Sequence, residues 1–167
     1  MAPKAGTASL VLPLSVTSPI DVGRLLRELE ALDNGLMQFD LKGMTDQAKM
    51  PKMTKLMDDT ISENKLNLLE ATQRKQFLLF LTNLREHAPV LHISFGADPA
   101  PAFIEKLVTW LRQEINPLVL VTIGLQPNIG AGCLVRSNNK YFDFSLRENF
   151  TKNRELLMTK LREVVTA

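Results

Sequence analysis

The alternation of apolar and polar positions predicts a first helix that begins close to residue 18. Ser18 is a good N-cap, Pro19 suits the first helical position, and Asp21 lies three residues after the cap. Apolar residues then recur at helical spacing. The helix is expected to end at Gly35 or to continue toward Met37.

The segments on either side of this helix have weaker patterns. Leu10 to Val16 predicts a short edge strand or an extended arm, because Pro13 disfavours a central strand. Residues 38–52 show no sustained period and predict a connector. Thr54 to His87 is expected to be helical, either throughout or with a break near residues 62–64. Its second half has an apolar surface so wide that the first helix or a partner must cover it.

A different pattern begins after Ala88-Pro89. The run V-L-H-I-S-F predicts a strand over Val90 to Phe95, and L-V-L-V-T-I predicts a second strand over Leu118 to Ile123. Between them a helix is expected over Pro99 to Ile115, with Asp98 as its N-cap. A strand, a helix of about four turns and another strand predict a βαβ unit with parallel strands.

The last third predicts a turn, a hairpin and a closing helix. Gly124 to Gly132 is rich in Gly and Pro, and the hairpin is expected over Cys133 to Arg136 and Lys140 to Phe144. Ser145 and Glu148 form a capping box for a final helix that extends toward Val165.

These elements predict an α+β fold, in which a mainly helical N-terminal region precedes a small βαβ-plus-hairpin sheet and a closing C-terminal helix. The expected domain boundaries are residues 1–88 and 89–167. A chain of 167 residues is long enough for one sizeable domain or two small ones. Its 45% hydrophobic and 23% charged residues are ordinary for a globular protein.

Charge and cysteine content exclude several functions. The formal net charge is only +2, although residues 136–167 carry 7 basic and 4 acidic side chains. Such a balance gives no strong field for nucleic acid or anionic lipid. A single cysteine, Cys133, permits no intrachain disulfide, indicates a reducing compartment and is interpreted as a small buried apolar residue. No run approaches the roughly 20 apolar residues of a membrane span.

Candidate catalytic and ligand-binding groups are sparse. The glycines between residues 124 and 132 lack a G-K-[ST] ending and lead into a strand, so they do not predict a phosphate loop. His87 and His92 are too isolated to predict a metal site. Asp143 is expected to face outward or to pair with Arg136 across the hairpin. No catalytic constellation, cofactor site or metal site is therefore predicted.

One long motif resembles a known family. Eleven residues follow, in order and at nearly the same spacing, the pattern P-x-L-I-G-G-x-x-V-R-x-G-x-K-x-x-D-x-S-[LIV]-R: Pro127, Ile129, Gly130, Gly132, Val135, Arg136, Lys140, Asp143, Ser145, Leu146 and Arg147. This pattern is typical of the delta subunit of bacterial-type ATP synthases, called the oligomycin-sensitivity-conferring protein in mitochondria. The resemblance covers about Leu66 to Val165, whereas residues 10–60 do not resemble the six-helix N-terminal domain of that family.

The resemblance implies a non-catalytic subunit of the peripheral stalk, which ties the catalytic head of the enzyme to membrane-anchored stalk helices. It implies alpha subunits and b-type stalk helices as partners, no cofactor, and a peripheral position at the cytoplasmic face of a bacterial membrane. An exposed apolar face is expected to bind one partner helix; its residues are Leu78, Phe80, Leu81 and Leu84. The stalk helices are expected at the C-terminal region from Arg136 to Arg162. Exposed apolar residues there would give the affinity and basic residues the register; the basic candidates are Arg136, Arg147, Lys152 and Arg154. Pro127, Gly130 and Gly132 are expected to form a structural turn.

Two other functions remain open from the sequence. The first is a small α/β module that binds nucleic acid through its basic C-terminal helix. The second is an enzyme whose site lies at the ends of the parallel strands, near Gly96 and Gly124. A deep polar pocket there would favour the enzyme, and a flat, filled surface would oppose it.

Overall fold

A computed structural model describes residues 10–42 and 52–165, without the side chains of residues 38–42, 148, 149, 164 and 165. The described residues form six helices and one four-stranded sheet, which confirms the predicted α+β class. The helices are α1 (Pro19–Lys42), α2 (Lys55–Asn64), α3 (Ala71–His87), α4 (Pro101–Glu114), α5 (Leu146–Lys152) and α6 (Arg154–Val165). The strands are β1 (Val90–Phe95), β2 (Leu120–Leu125), β3 (Cys133–Ser137) and β4 (Lys140–Asp143), and a short 3₁₀ turn spans Pro127–Ile129.

The first helix begins where the sequence predicts and ends later. The Ser18 hydroxyl accepts a hydrogen bond from the Asp21 backbone N–H at 3.3 Å, and the Asp21 carboxylate accepts one from the Ser18 N–H at 2.9 Å. This reciprocal pair is a capping box. Gly35 does not end the helix, because Leu36 still packs against the core and the helix continues to Lys42. The rest of the predicted connector, residues 43–51, lies outside the described residues.

The second helical stretch is broken slightly later than the sequence predicts. Lys65 adopts a left-handed conformation with φ of 51°, and its backbone N–H donates to the Ser62 carbonyl. The next N–H, of Leu66, donates back to Ile61 at 3.0 Å. This closing geometry satisfies the last carbonyls of α2. The chain then turns before α3 begins at Ala71.

The helical region encloses the larger of two hydrophobic cores. α1 packs along α3, and their inward-facing side chains are almost fully buried: Val22, Leu25, Leu26, Leu29, Leu32, Phe77, Leu81 and Leu84. Leu120 of β2 is part of the same cluster, and Val90 of β1 packs against it. The apolar interior therefore continues from the helices onto one face of the sheet.

The sheet has the strand order β2-β1-β3-β4. β1 and β2 are parallel, and β3 is antiparallel to both β1 and β4. The predicted βαβ unit and the hairpin that extends it are thus confirmed. α4 covers the sheet face that carries Ile93 and Val121, where Val108 and Leu111 complete the second core.

Two predicted helix boundaries are wrong. α4 begins at Pro101 with Ala100 as its N-cap, and not at Pro99 after Asp98. Proline suits the first helical position and forces the residue before it into an extended conformation, here with ψ of 142° at Ala100. The final helix is not continuous, because the chain breaks at Asn153 into α5 and α6. Asparagine is a poor residue inside a helix and a good one at its start.

The described segment before α1 contains no strand, so the edge-strand alternative is wrong. It forms an arm with a turn in which the Val16 N–H donates to the Pro13 carbonyl at 3.1 Å. Asn64 of α2 holds the arm through a reciprocal pair: its side chain accepts from the Val11 N–H at 2.6 Å and donates to the Val11 carbonyl at 2.9 Å. From the other side, the Arg112 guanidinium of α4 donates to the carbonyls of Leu12, Pro13 and Val16. The arm therefore links the helical region to the helix behind the sheet.

Candidate functional site

The two C-terminal helices carry an apolar surface that nothing in the described structure covers. We call it the C-terminal apolar surface; it consists of Leu146, Phe150, Leu156, Leu157, Met158 and Leu161. These side chains are between 42% and 62% exposed. Every described side chain of α6 is exposed to solvent. Single exposed leucines are common, but a contiguous set of six large apolar side chains is typical of an interaction site.

This surface is grooved and has a cationic rim. Leu146, Phe150 and Leu157 line both of its grooves, which have volumes of about 290 Å³ and 720 Å³. Arg147 and Arg154 border the larger groove, and Lys160 borders the smaller one. Among the described side chains, no carboxylate lines either groove, although Lys160 pairs with Glu163 at 2.8 Å. The surface therefore suits an apolar partner that also carries negative charge.

The hairpin and the turn fix the position at which α5 begins. The Asp143 carboxylate accepts from the Ser145 N–H at 2.8 Å, and the Leu146 N–H donates to the Ala131 carbonyl at 2.9 Å. The hydrogen bonds from Ser145 hold the pKa of Asp143 below its usual value. Asp143 does not lie across the hairpin from Arg136, because the strand register places Leu134 opposite Asp143.

The turn before the hairpin depends on two glycines in left-handed conformations, Gly130 with φ of 73° and Gly132 with φ of 92°. A Cβ atom on Gly132 would overlap the backbone oxygen of Phe144. A Cβ atom on Gly96 would come within 2.8 Å of the Gly130 carbonyl oxygen. The turn that starts at Pro127 therefore packs closely over the end of β1 and beside the start of α5.

The expectation of an exposed partner face on α3 is wrong. Leu81 and Leu84 are 0% and 3% exposed, because they face α1 in the helical core. Leu78 and Phe80 are half-buried and pack against the same cluster. The covering element is the first helix, which was the other alternative open from the sequence. The exposed apolar residue of α3 is instead Leu79, at 69%.

A second candidate site lies on the sheet face opposite α4. We call it the sheet groove; it has a volume of about 400 Å³ and is lined by His92, Ser94, Gln126, Leu134, Arg136 and Tyr141. It opens beside Gly124, near the carboxyl ends of β1 and β2, where a deep polar pocket would favour an enzyme. The groove is polar but not deep, because His92, Arg136 and Tyr141 are exposed. No sequence pattern groups these residues, because only the pairing of β1, β3 and β4 makes them neighbours.

Three further observations concern possible chemistry. Cys133 is half-buried against the second core, and burial, followed by the nearby Asp143 charge, raises the pKa of its thiol. Among the described residues, no group of three His, Cys, Asp or Glu side chains could hold a metal ion. Within the same residues, no helix is both long enough and apolar enough to cross a membrane.

No protein-family model matches this sequence, and no curated protein matches it significantly. The surfaces described above and the motif between Pro127 and Arg147 are therefore the features that bear on function.

Proposed function

We propose that this protein is a non-catalytic subunit of the peripheral stalk of a rotary, proton-translocating ATP synthase. The observation that carries the proposal is the C-terminal apolar surface, which is large, grooved and uncovered. A stalk subunit must bind helices firmly and needs no catalytic residue. Apolar grooves that receive the apolar face of an amphipathic helix are a common way to do so.

The occupant proposed for this surface is the membrane-anchored b-type stalk helix. Apolar side chains of that helix would fill the grooves lined by Phe150 and Leu157. Acidic residues beside its apolar face would meet Arg147, Arg154 and Lys160 at the rim. The buried apolar contact would supply most of the affinity, and the charges would set orientation and association rate.

The alpha subunits of the catalytic head are the second proposed partner, and the helical region is the surface proposed to meet them. Leu81 and Leu84 do not take part, because they are interior residues. Leu69 and Leu79 are 70% and 69% exposed and replace them in the proposal. The resulting place in the cell is the cytoplasmic face of a bacterial membrane, as a peripheral subunit of the complex.

The motif between Pro127 and Arg147 supports the same proposal from the sequence. Several of its residues are needed for the local structure: Gly130 and Gly132 for the turn, and Asp143 and Ser145 for the start of α5. These residues present α5 at the edge of the sheet. The motif therefore specifies how the proposed binding surface is held.

Affinity purification of the tagged protein from its own cells in mild detergent, with mass spectrometry, tests the proposal. We expect alpha, beta and stalk subunits to be recovered. The double variant Leu157→Asp with Leu161→Asp should lose the stalk subunits, because it places charges in the apolar surface without touching either core. Ile20→Asp, at a residue outside this surface that is 62% exposed, is the control and should retain them.

Recovery of no ATP synthase subunit with the unchanged protein would refute the proposal. Binding of nonspecific RNA that weakens steeply with salt would instead favour a nucleic-acid module. The same rim cations could also contact nucleic acid, although Lys160 is already paired with Glu163 at 2.8 Å. The apolar surface between them suits a helix better than a phosphate backbone.

A further inference from the structure

The sheet groove has the composition of a ligand site and no part in the proposed stalk contact. It lies on the other sheet face from α4 and next to the carboxyl ends of two parallel strands. Its volume of about 400 Å³ falls within the range of small-molecule pockets. Five of its six lining side chains are polar, and none is a carboxylate.

The strand register places the donors of this groove in one row. His92 of β1 lies directly opposite Arg136 of β3, and Arg136 lies directly opposite Tyr141 of β4. Directly opposed residues have Cβ atoms about 4.5–5.5 Å apart and point to the same face. An imidazole, a guanidinium and a phenol therefore converge above three adjacent strands. Ser94, two residues along β1 from His92, adds a hydroxyl on the same face.

The edge of the groove beside this row is kept open by a glycine. Gly124 of β2 lies opposite Ser94, and a Cβ atom on it would come within 3.1 Å of the Ser94 hydroxyl oxygen. Any larger side chain at residue 124 would therefore press on this hydroxyl and narrow access to it. Gln126, which follows β2, supplies a side-chain amide at the same end.

We propose that the sheet groove binds a phosphate group, either as inorganic phosphate or as part of a small phosphorylated molecule. The Arg136 fork presents paired N–H donors that match two phosphate oxygens. The hydroxyls of Ser94 and Tyr141 can donate to the remaining oxygens, and the His92 ring can donate a further N–H. None of the six lining side chains is a carboxylate. Asp143, which lies opposite Leu134 on the same sheet face, accepts a hydrogen bond from the Ser145 N–H.

This site is independent of the stalk contact proposed above, which uses Arg147, Arg154 and Lys160. Arg136, predicted from the sequence to belong to the stalk-binding region, lines the sheet groove. The test is an NMR titration of the full-length protein with inorganic phosphate at constant ionic strength, followed by the same titration with adenosine monophosphate. We expect saturable shifts centred on His92, Ser94, Gly124 and Arg136. Tighter binding of the nucleotide would show that the ligand is a phosphorylated molecule, and equal binding would show that the phosphate alone is recognised.

Two variants and one control make the result decisive. Arg136→Gln should weaken binding by about tenfold or more, since it removes a charged fork worth over 1.4 kcal/mol. Tyr141→Phe, which keeps the ring and so the fold, should weaken it by a smaller factor. Arg154→Gln removes an equal charge from the C-terminal rim and should leave binding unchanged. Any of three results would overturn the proposal: chemical shift changes spread over all cationic residues, a titration that does not saturate, or equal weakening of binding by both arginine variants.

Discussion

The hydrogen bonds by which Arg112 holds the N-terminal arm lead to the most specific prediction about stability. Arg112 is 9% exposed and comes from α4, about one hundred residues from the arm that it holds. Its guanidinium donates to Pro13 at 2.8 Å and to Leu12 at 3.1 Å, and also to Val16. Burial lowers the pKa of this guanidinium, because its charge is partly removed from water.

The replacement Arg112→Met keeps an unbranched side chain as far as the position of Nε and removes every donor. The Pro13 carbonyl keeps a second donor, the Val16 N–H at 3.1 Å, so the main loss falls on the carbonyls of Leu12 and Val16. A buried group left without its partner costs about 1–3 kcal/mol, or roughly 2–6 kcal/mol for two. Part of this loss of stability is offset, because the variant no longer buries a charge. The Nε atom of Arg112 has no hydrogen-bond partner, so its removal breaks no hydrogen bond.

The expected net loss is about 2–4 kcal/mol in the free energy of unfolding, measured by urea denaturation. Lys106→Met removes the same charge from an exposed position on the same helix and should change stability by less than about 0.5 kcal/mol. Hydrogen exchange should show that the Val16 amide loses protection in the Arg112 variant. A loss no greater than that of the control would refute the argument that this arginine fixes the arm.

Three further predictions concern single residues. Gly132→Ala should destabilise the protein by about 2 kcal/mol or more in thermal unfolding, because the added Cβ atom overlaps backbone atoms across the turn. Gly23→Ala is the control: its Cβ atom meets nothing within 4 Å, so it should be neutral or stabilising by up to about 1 kcal/mol. Leu81→Ala should lower the free energy of unfolding in urea by about 2–5 kcal/mol, because it opens a cavity in the core. Leu79→Ala, at an exposed position on the same helix, should lower it far less. Equal losses of stability would contradict the packing described here. Iodoacetamide should alkylate Cys133 more slowly at pH 8 in the folded protein than in urea, since its raised pKa leaves less thiolate and its burial limits access.

The sequence alone determined the elements whose signals are local. The capping residues Ser18 and Asp21 placed the start of α1 correctly, since a cap acts over three residues. The apolar run around Val121 and the spacing of the helix before it were sufficient to predict the parallel βαβ unit. The fold class followed from the order of these elements. Local rules failed where two signals competed, as at Asp98 and Pro101, because the proline at 101 outweighed the nearby cap.

Only the tertiary structure decided which apolar residues are interior. A helical period places Leu81 and Leu84 on one face of α3, but whether α1 or a partner covers that face depends on packing between elements far apart in sequence. The sheet groove was equally invisible, because His92, Arg136 and Tyr141 become neighbours only through strand register. The hydrogen bonds from Arg112 to the N-terminal arm join residues about one hundred positions apart, and no periodicity in the sequence predicts such a contact. Sequence patterns describe each element by itself, whereas the sites on this protein arise from how those elements meet.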